Sequence, residues 1–402
     1  MWWMYYADSF RLSLLTAASV FSGALINLRN LRPQSIGKSS VEKGFILFLA
    51  IAWLSLLTGS GISAGSWAAI EKMTKTLAFM FVMMRIVYKP KEYLALRWVW
   101  IVGALWLGYN AYSKGSSWYV DGRLSGVGGS DFQGSSGFGA HMAISLPFIG
   151  IAFLSAQKWW LKIIPFLAAG LTVNSLIASQ TRGAFLAIAI GGIVAVFRVP
   201  AELRKKLFFY FIVGAVGALS LANESFWERM DTIEVEEEEQ RESSSQSRLE
   251  IWAASLEMLA DYPLGVGIGR FQKHIGHYAP NHTGMASHNT FVRCYGDLGI
   301  HGLAVFLFII YAMYNSLYRM RKQLMGHPSL YYLNREAYAL EIALTVAFVA
   351  GFFTERTYVE GYWLLMSMVP CLEQTVAYCL QESESRQGGN GPSTYFDADT
   401  DK

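Results

Sequence analysis

Residues 298–318 read LGIHGLAVFLFIIYAMYNSLY, an unbroken run without an aspartate, glutamate, lysine or arginine. A helix needs about 20 mostly apolar residues to cross the hydrocarbon core of a bilayer. The rest of the 402-residue chain has the same character, because 53% of it is hydrophobic and only 16% is charged. A typical soluble domain carries about 25% charged residues. The composition therefore excludes an ordinary soluble protein and predicts an integral membrane protein.

Apolar segments of spanning length predict an all-α, polytopic membrane bundle of about 11 transmembrane helices. They cover approximately residues 10–28, 44–62, 68–88, 96–112, 140–157, 159–178, 183–199, 207–222, 298–318, 337–355 and 358–380. The third carries Glu71, Lys72 and Lys75 in its first half, which is typical of a helix that starts at the membrane interface. The residues before the first span lack the basic region of a cleavable signal peptide, so we expect this span to stay in the membrane.

Basic residues concentrate in every second connection between the predicted spans. They are Arg29, Arg32, Lys38, Lys43, Arg85, Lys89, Lys91, Arg97, Lys158, Lys162, Arg198, Arg204, Lys205, Lys206, Arg319, Arg321, Lys322 and Arg335. Cytoplasmic loops carry an excess of lysine and arginine, so these connections are predicted to face the cytoplasm. The short alternate connections and the amino-terminal stub hold only Arg11, Lys114, Arg123, Arg182 and Arg356. This topology puts the amino terminus outside and the carboxyl tail inside, and a missing initial span would give the same arrangement.

Two outward connections are long enough to carry a function. Residues 113–139 are rich in glycine and serine, and residues 223–297 form the one long outward loop, with the composition of a soluble segment. Within that loop, Ser247 and Glu250 fit a capping box at the start of a short helix that runs to Asp261. Apolar residues recur there at helical spacing, which predicts a face that packs on the membrane or on the bundle. They are Leu249, Trp252, Ala253, Leu256 and Leu259.

The same features divide the chain into four parts. Residues 1–139 are predicted to hold the amino-terminal membrane helices and the glycine- and serine-rich outward loop. Residues 140–318 form the core, which includes the outward loop 223–297. Residues 319–380 add the carboxyl-terminal membrane helices, and the polar residues 381–402 are predicted to be a disordered cytoplasmic tail.

Ionisable residues are scarce at the centres of the predicted spans, where a transporter would place them. Glu341 and Glu373 are exceptions that lie near predicted span ends, close enough to water to need no special role. The unusual polar residues gather on the outward side instead. This pattern favours chemistry at the outer membrane face. The net charge of +3 is too small and dispersed to indicate a nucleic-acid partner.

Two outward arginines are candidate anion-binding residues. Arg182 opens a predicted span at the outer face, where a helix amino terminus favours anions. It could equally be a boundary residue that snorkels to the interface, although Gly183 would let a ligand or another helix approach closely. Arg248 lies at the predicted first turn of the outward helix, where a bound anion could support it. Pairing with the neighbouring acidic run is the simpler interpretation.

Four of the seven histidines lie close together, at His274, His277, His282 and His288. They lack a helical H-E-x-x-H pattern and a nearby cysteine, so no metal site is predicted. His288 precedes Asn289 and a new membrane helix, and an imidazole that titrates near pH 6.5 can activate a hydroxyl group. A structural histidine bound to nearby carbonyl groups is an equal alternative. The glycines from 265 to 269 follow a helix rather than a strand, which predicts a turn and not a nucleotide-binding loop.

The order of these motifs resembles the O-antigen ligase and polymerase superfamily over roughly residues 140–318. The motifs are Thr181–Ala184, Arg248 to Trp252, Pro263 to Phe271, and His288-Asn289 leading to Gly302. Asp297 stands where many relatives have glutamate. The resemblance implies a multi-spanning glycosyltransferase of the bacterial inner membrane, with its active site on the periplasmic face and without a nucleotide sugar, metal or other cofactor.

The resemblance also implies a reaction and roles for individual residues. The enzyme would move a glycan from an undecaprenyl diphosphate carrier, with inversion, to a hydroxyl group of lipid A core or of another glycan or protein acceptor. Arg182 and Arg248 would hold the donor diphosphate, and His288 would orient or deprotonate the acceptor hydroxyl. Asn289 and Arg293 would assist. A ligase and a repeat-unit polymerase share these motifs. A lipid-linked glycan transporter is a third hypothesis, disfavoured by the scarcity of charge at the span centres.

Overall fold

The computed structural model describes residues 38–199 except 121 and 133, residues 238–387, and isolated positions at 22 and between 204 and 217. The described chain is helical apart from one short hairpin. Its α-helices are α1 (Ser40–Thr58), α2 (Ala64–Ile86), α3 (Pro90–Tyr112), α4 (Ser135–Ser155), α5 (Ile163–Ser179), α6 (Arg182–Arg198), α7 (Glu238–Asp261), α8 (Phe271–Tyr278), α9 (Thr290–Leu324), α10 (Tyr331–Gly351) and α11 (Glu360–Gln387). Strands β1 (Tyr119–Val120) and β2 (Arg123–Leu124) pair antiparallel. Short 3₁₀ turns lie at Ser116–Trp118, Ser130–Phe132, Trp159–Lys162, Pro280–His282 and Pro328–Leu330.

Helical segments long and apolar enough to cross a membrane are present in the described residues. There are five, at Ser40–Thr58, Ser135–Ser155, Trp159–Ser179, Thr290–Leu324 and Glu360–Ser385. The predicted class, an all-helical membrane protein, is confirmed at this level. The number of about 11 spans stays a prediction, since the spans at 10–28 and 207–222 lie almost entirely outside the described residues.

Several helices begin or end away from the bounds predicted from hydropathy. The α9 helix begins at Thr290 rather than near 298, because the Asn289 side chain caps it and polar residues continue the helix above the apolar run. The α10 helix ends at Gly351, so Glu355 lies in the connection to α11 and not in a span. The α11 helix runs to Gln387, so residues 381–387 belong to that helix and not to a tail.

The apolar core forms where α9, α10 and α11 pack against the earlier helices. The α10 helix contacts α4, α6 and α9, while α9 also packs on α1 and α11 packs on α2. Trp363 is fully buried at this centre, with ring centroids 5.2 Å from Phe45 and 5.0 Å from Phe48. Large aromatic side chains bury more apolar surface than other residues, so this cluster fixes α1 against α11.

Ion pairs join the helix ends that the sequence assigns to the cytoplasm. Both Glu42 oxygens accept hydrogen bonds from Arg85, at 2.6 and 3.1 Å, and Arg97 pairs with Glu336. Glu341 is only 3% exposed and pairs with Arg198 at 2.9 Å and with Arg321. The expectation that Glu341 lies close to water is therefore wrong, because its carboxylate is buried and paired with two arginines.

The helices α7 and α8, in the loop predicted to face outward, pack on the first turns of α9 around a small apolar cluster. Its buried members are Ile251, Ala254, Met258, Val266, Phe271, Ile275, Val292 and Tyr295. The predicted apolar face is partly wrong, since Leu249 and Leu256 are 58% and 60% exposed. Two neighbouring stripes of α7 both repeat every three or four residues, so helical periodicity alone does not select the buried one.

The glycine-rich turn after α7 crosses a kink in α9. Gly265, Gly267 and Gly269 have positive φ angles, and Gly299 interrupts α9 with φ 72° and ψ −174°. The backbones touch, because a Cβ added to Gly265 would lie 2.5 Å from the Asp297 carbonyl oxygen. The predicted turn is confirmed, and its glycines serve close packing of one backbone on another.

Gly265→Ala is expected to lower the thermal unfolding temperature of the detergent-solubilised protein more than Gly284→Ala. Both glycines have similar φ angles, 83° and 80°, but a Cβ at Gly284 would meet no atom within 4 Å. The control change isolates the cost of the left-handed backbone, about 1–2 kcal/mol, whereas Gly265→Ala must also separate two packed backbones. Equal shifts in the two variants would contradict the crossing.

Candidate active site

His288 lies in the segment just before α9 and has a strained backbone. Its φ is 50°, in the left-handed region that residues other than glycine rarely occupy. The next residue, Asn289, is buried and accepts hydrogen bonds from the amides of Phe291 at 2.8 Å and Val292 at 3.1 Å. Strained backbone of this kind persists only where the surroundings hold it, and it concentrates at functional sites.

A carboxylate from another part of the chain lies beside His288. One Glu355 oxygen accepts hydrogen bonds from the Ser287 amide at 2.5 Å and the Ser287 hydroxyl at 2.6 Å. The other oxygen accepts a 3.3 Å bond from Arg293. Three donors therefore fix Glu355 in the connection between α10 and α11, next to the histidine.

Two cations and one carboxylate control the charge of His288. The residue is exposed by surface area, yet the surrounding chain removes enough water to lower its pKa, and this desolvation is the largest cause. Arg248 and Arg123 lower the pKa further, whereas Glu355 raises it. The net direction is downward, so the imidazole is neutral at pH 7 and able to accept a proton.

Arg248 reaches the site from the interior of α7 and not from its first turn. The helix begins at Glu238, so Ser247 cannot be its N-cap, and the predicted capping box is wrong. The Glu250 carboxylate instead accepts bonds from Gln246 at 3.1 Å and lies 2.6 Å from the His282 ring. Partial burial lowers the pKa of Arg248.

Arg123 was not predicted as a site residue, although it is one of the few outward cations. It lies in β2, where its guanidinium donates to the Ser179 carbonyl at 3.3 Å, the Ser136 hydroxyl at 3.0 Å and the Thr181 hydroxyl at 3.4 Å. These bonds fasten the hairpin to the start of α4 and to the junction between α5 and α6. Its effect on the His288 pKa places its charge near the histidine as well.

Arg182 is the first residue of α6 and is exposed. It directly follows Thr181, one of the groups that hold Arg123, so the two arginines approach the same helix junction. Gly183 serves close packing here, since an added Cβ would lie 2.6 Å from the Phe353 side chain. Gly183 was expected to let either a ligand or another helix approach closely. In the structure the neighbour is Phe353, in the connection that follows α10.

Arg293 and Asp297 join the first turns of α9 to the start of α8 and to the connection before α11. Arg293 donates to Asp297 at 2.7 Å, and Asp297 is fully buried. Asp297 also accepts bonds from the amides of residues 269, 270 and 271 at 2.8–3.1 Å and from the Tyr358 hydroxyl at 3.0 Å. Asn289 and Arg293, predicted to assist, therefore cap α9 and position Glu355.

The four neighbouring histidines make separate contacts and do not converge on one point. The His274 and His277 rings lie 5.9 Å apart on α8, whereas His282 is bound to Glu250. In the described residues no group of three or more histidine, cysteine, aspartate or glutamate side chains is placed to hold a metal ion. The arrangement that remains around His288 combines a base, cations and a carboxylate. It can deprotonate a hydroxyl group beside a bound anion.

Comparison with known proteins supplies a family for this segment. Residues 167–307 match the family model described as O-antigen ligase. The resemblance to the O-antigen ligase and polymerase superfamily is confirmed by this match, which contains Arg182, Arg248, His288, Asn289 and Arg293. The curated proteins contain no match to the chain. Arg123 and Glu355 lie outside the matched residues, so Glu355 is placed in the site by its hydrogen bonds with Ser287 and Arg293, and Arg123 by its charge effect on His288.

Proposed function

We propose that the chain is a membrane glycosyltransferase of the O-antigen ligase type, which moves a glycan from an undecaprenyl diphosphate carrier to an acceptor hydroxyl. The observation that carries the proposal is a histidine whose pKa is lowered by burial, Arg248 and Arg123 and raised by Glu355, inside a segment that matches the O-antigen ligase family. The leaving group of such a donor is a diphosphate. Arginines are well suited to bind it, because their planar guanidinium groups form paired charge-assisted hydrogen bonds with phosphate oxygens.

In the proposed reaction, His288 accepts the proton of the acceptor hydroxyl while the acceptor oxygen attacks the anomeric carbon. The bond from that carbon to the diphosphate oxygen breaks, and its electron pair leaves with the carrier. Attack from the opposite side inverts the anomeric configuration. Arg248 and Arg182, with Arg123 nearby, offset the charge that develops on the diphosphate. Glu355 stabilises the imidazolium that His288 becomes, by proximity of opposite charge.

The acceptor would be a hydroxyl of lipid A core or of another glycan or protein. Transfer would take place at the periplasmic face of the inner membrane, where the lipid carrier presents its glycan. Arginines perform the charge neutralisation in this scheme, so transfer would need no metal ion.

Deletion of the gene in its host, followed by gel analysis of surface glycan, is expected to leave finished polymer stranded on the lipid carrier. Loss of polymer with intact single repeats would contradict the ligase and identify a repeat-unit polymerase instead. Purified protein in liposomes should transfer lipid-linked glycan in the presence of a chelator. Activity that disappears with chelator and returns with a divalent cation would contradict the metal-independent scheme.

A further inference from the structure

Trp252 joins α7 to the turn that carries His288. Its indole nitrogen donates a hydrogen bond of 2.9 Å to the Ser287 carbonyl oxygen, and its ring packs beside the apolar cluster that α7 and α8 form on α9. The helical spacing of the sequence predicts only an apolar role for this side chain. A partly buried indole N–H needs a fixed acceptor, because it donates and cannot accept. Here the acceptor is the backbone directly before the candidate base.

Ser287 is held on its other side by Glu355. The residue is fully buried, and its amide and hydroxyl both donate to one Glu355 oxygen, at 2.5 and 2.6 Å. The indole bond uses the carbonyl group of the same residue. Ser287 is therefore bonded both to α7 and to the connection before α11. The left-handed backbone of His288, with φ 50°, follows directly after this doubly bonded residue.

Arg248 lies one helical turn before Trp252 in α7. Residues four apart share one face of a helix, so the face that makes the indole bond also carries this cation. A shift or rotation of α7 would move the indole and the guanidinium together. Three charged groups act on His288 from three different elements, and only the first depends on the position of α7. They are Arg248 from α7, Arg123 from β2 and Glu355 from the connection before α11.

We propose that Trp252 is a positioning residue of the candidate site, whose indole bond to Ser287 sets the distance between Arg248 and His288. Its role in catalysis rests on the proposed glycan transfer, whereas the geometry can be measured without that reaction. Without the bond, α7 still packs through its buried apolar side chains. The fixed register between the arginine and the base is lost, and the interaction of their charges weakens with distance.

The test replaces Trp252 with phenylalanine, which removes the donor and keeps an aromatic ring. Nuclear magnetic resonance of the histidine-labelled full chain in detergent follows the titration of His288, identified as the signal that His288→Asn lacks. Arg248 lowers the pKa of His288, so a more distant guanidinium should let that pKa rise. Trp252→Phe is expected to raise it by less than Arg248→Gln does. An unchanged His288 titration in Trp252→Phe would overturn the proposal.

The double variant Arg248→Gln/Trp252→Phe shows whether the indole acts through the arginine. If it does, the pKa of His288 in the double variant should equal that in Arg248→Gln alone, since the removed charge leaves nothing to position. Shifts that add in the double variant would overturn the proposed route and give Trp252 a separate effect on the histidine.

Ser255→Ala is the matched control. Ser255 is buried in the next turn of α7, and its hydroxyl lies 2.6 Å from the Tyr295 hydroxyl of α9. The variant therefore removes one bond between α7 and α9 that does not involve the His288 turn. Both variants should lower the unfolding temperature, but only Trp252→Phe should move the His288 titration. Equal shifts of the titration would indicate a general loosening of α7 and would overturn the specific role.

Transfer kinetics in liposomes supply the catalytic readout. Trp252→Phe should lower kcat/KM for the lipid-linked donor by about 2- to 10-fold, the range that corresponds to one hydrogen bond. Full activity of Trp252→Phe, where His288→Asn is inactive, would overturn the positioning role. Full activity of His288→Asn would instead refute the proposed function, and the titrations would still report the geometry.

Discussion

Replacing His288 with alanine is expected to reduce the rate of glycan transfer by about 10²–10⁴-fold, the usual contribution of a positioned general base. The downward shift of its pKa keeps the imidazole neutral, which is the form that accepts a proton. The measurement is single-turnover transfer from lipid-linked donor in liposomes. Donor binding should change little, because the arginines remain.

Two further variants test whether the loss of activity comes from the missing base or from a disturbed fold. Asparagine tolerates the left-handed backbone at φ 50° better than alanine does, so His288→Asn removes the base with less strain and should be as inactive. His277→Ala removes an exposed histidine of the same outward segment and should retain activity. Normal glycan export in a His288→Ala strain would favour the transporter hypothesis, since that hypothesis gives the histidine no chemistry.

The helical framework could be predicted from the sequence because it depends on local properties. Apolar runs set the helices, and Asn289 before Thr290 is a residue type that commonly caps a helix. The errors arise where longer-range contacts decide. Glu341 was placed near water by its position in a span, yet Arg198 and Arg321 come from two other helices to pair with it. The buried face of α7 is likewise chosen by its contact with α9, not by its own periodicity.

The candidate site divides in the same way. His288, Arg182 and Arg248 carry signals in the sequence itself, as rare polar residues on the predicted outward side of an apolar chain. Glu355 had no such signal, because the predicted span ended at that residue and charges at span ends are common. Only the end of α10 at Gly351 shows that Glu355 belongs to a connection that folds back to Ser287. No local sequence motif connected Arg123 with the site, because the residues that accept its hydrogen bonds, Ser179 and Ser136, lie in two later helices.

Arg248→Gln is expected to lower kcat/KM for the lipid-linked donor by about 10²-fold, the effect of removing one group that stabilises developing charge. The loss should appear in donor affinity as well as in rate, because the diphosphate carries charge before and after the reaction. Lys273→Gln removes an exposed cation of α8 and is the matched control for net charge. If Arg248→Gln and Lys273→Gln retained equal activity, Arg248 would not hold the diphosphate.

The pH dependence of the remaining activity separates a role in the site from a role in folding. Activity falls on the acid side as His288 becomes protonated, and Arg248 lowers the pKa of His288. Removing this cation raises that pKa, so the acid limb of the rate profile should move to higher pH in Arg248→Gln. Glu355 acts in the opposite direction, and Glu355→Gln should move the limb to lower pH. A variant that was merely unstable would lose activity without shifting the limb, so opposite shifts in these two variants would tie both charges to the same histidine.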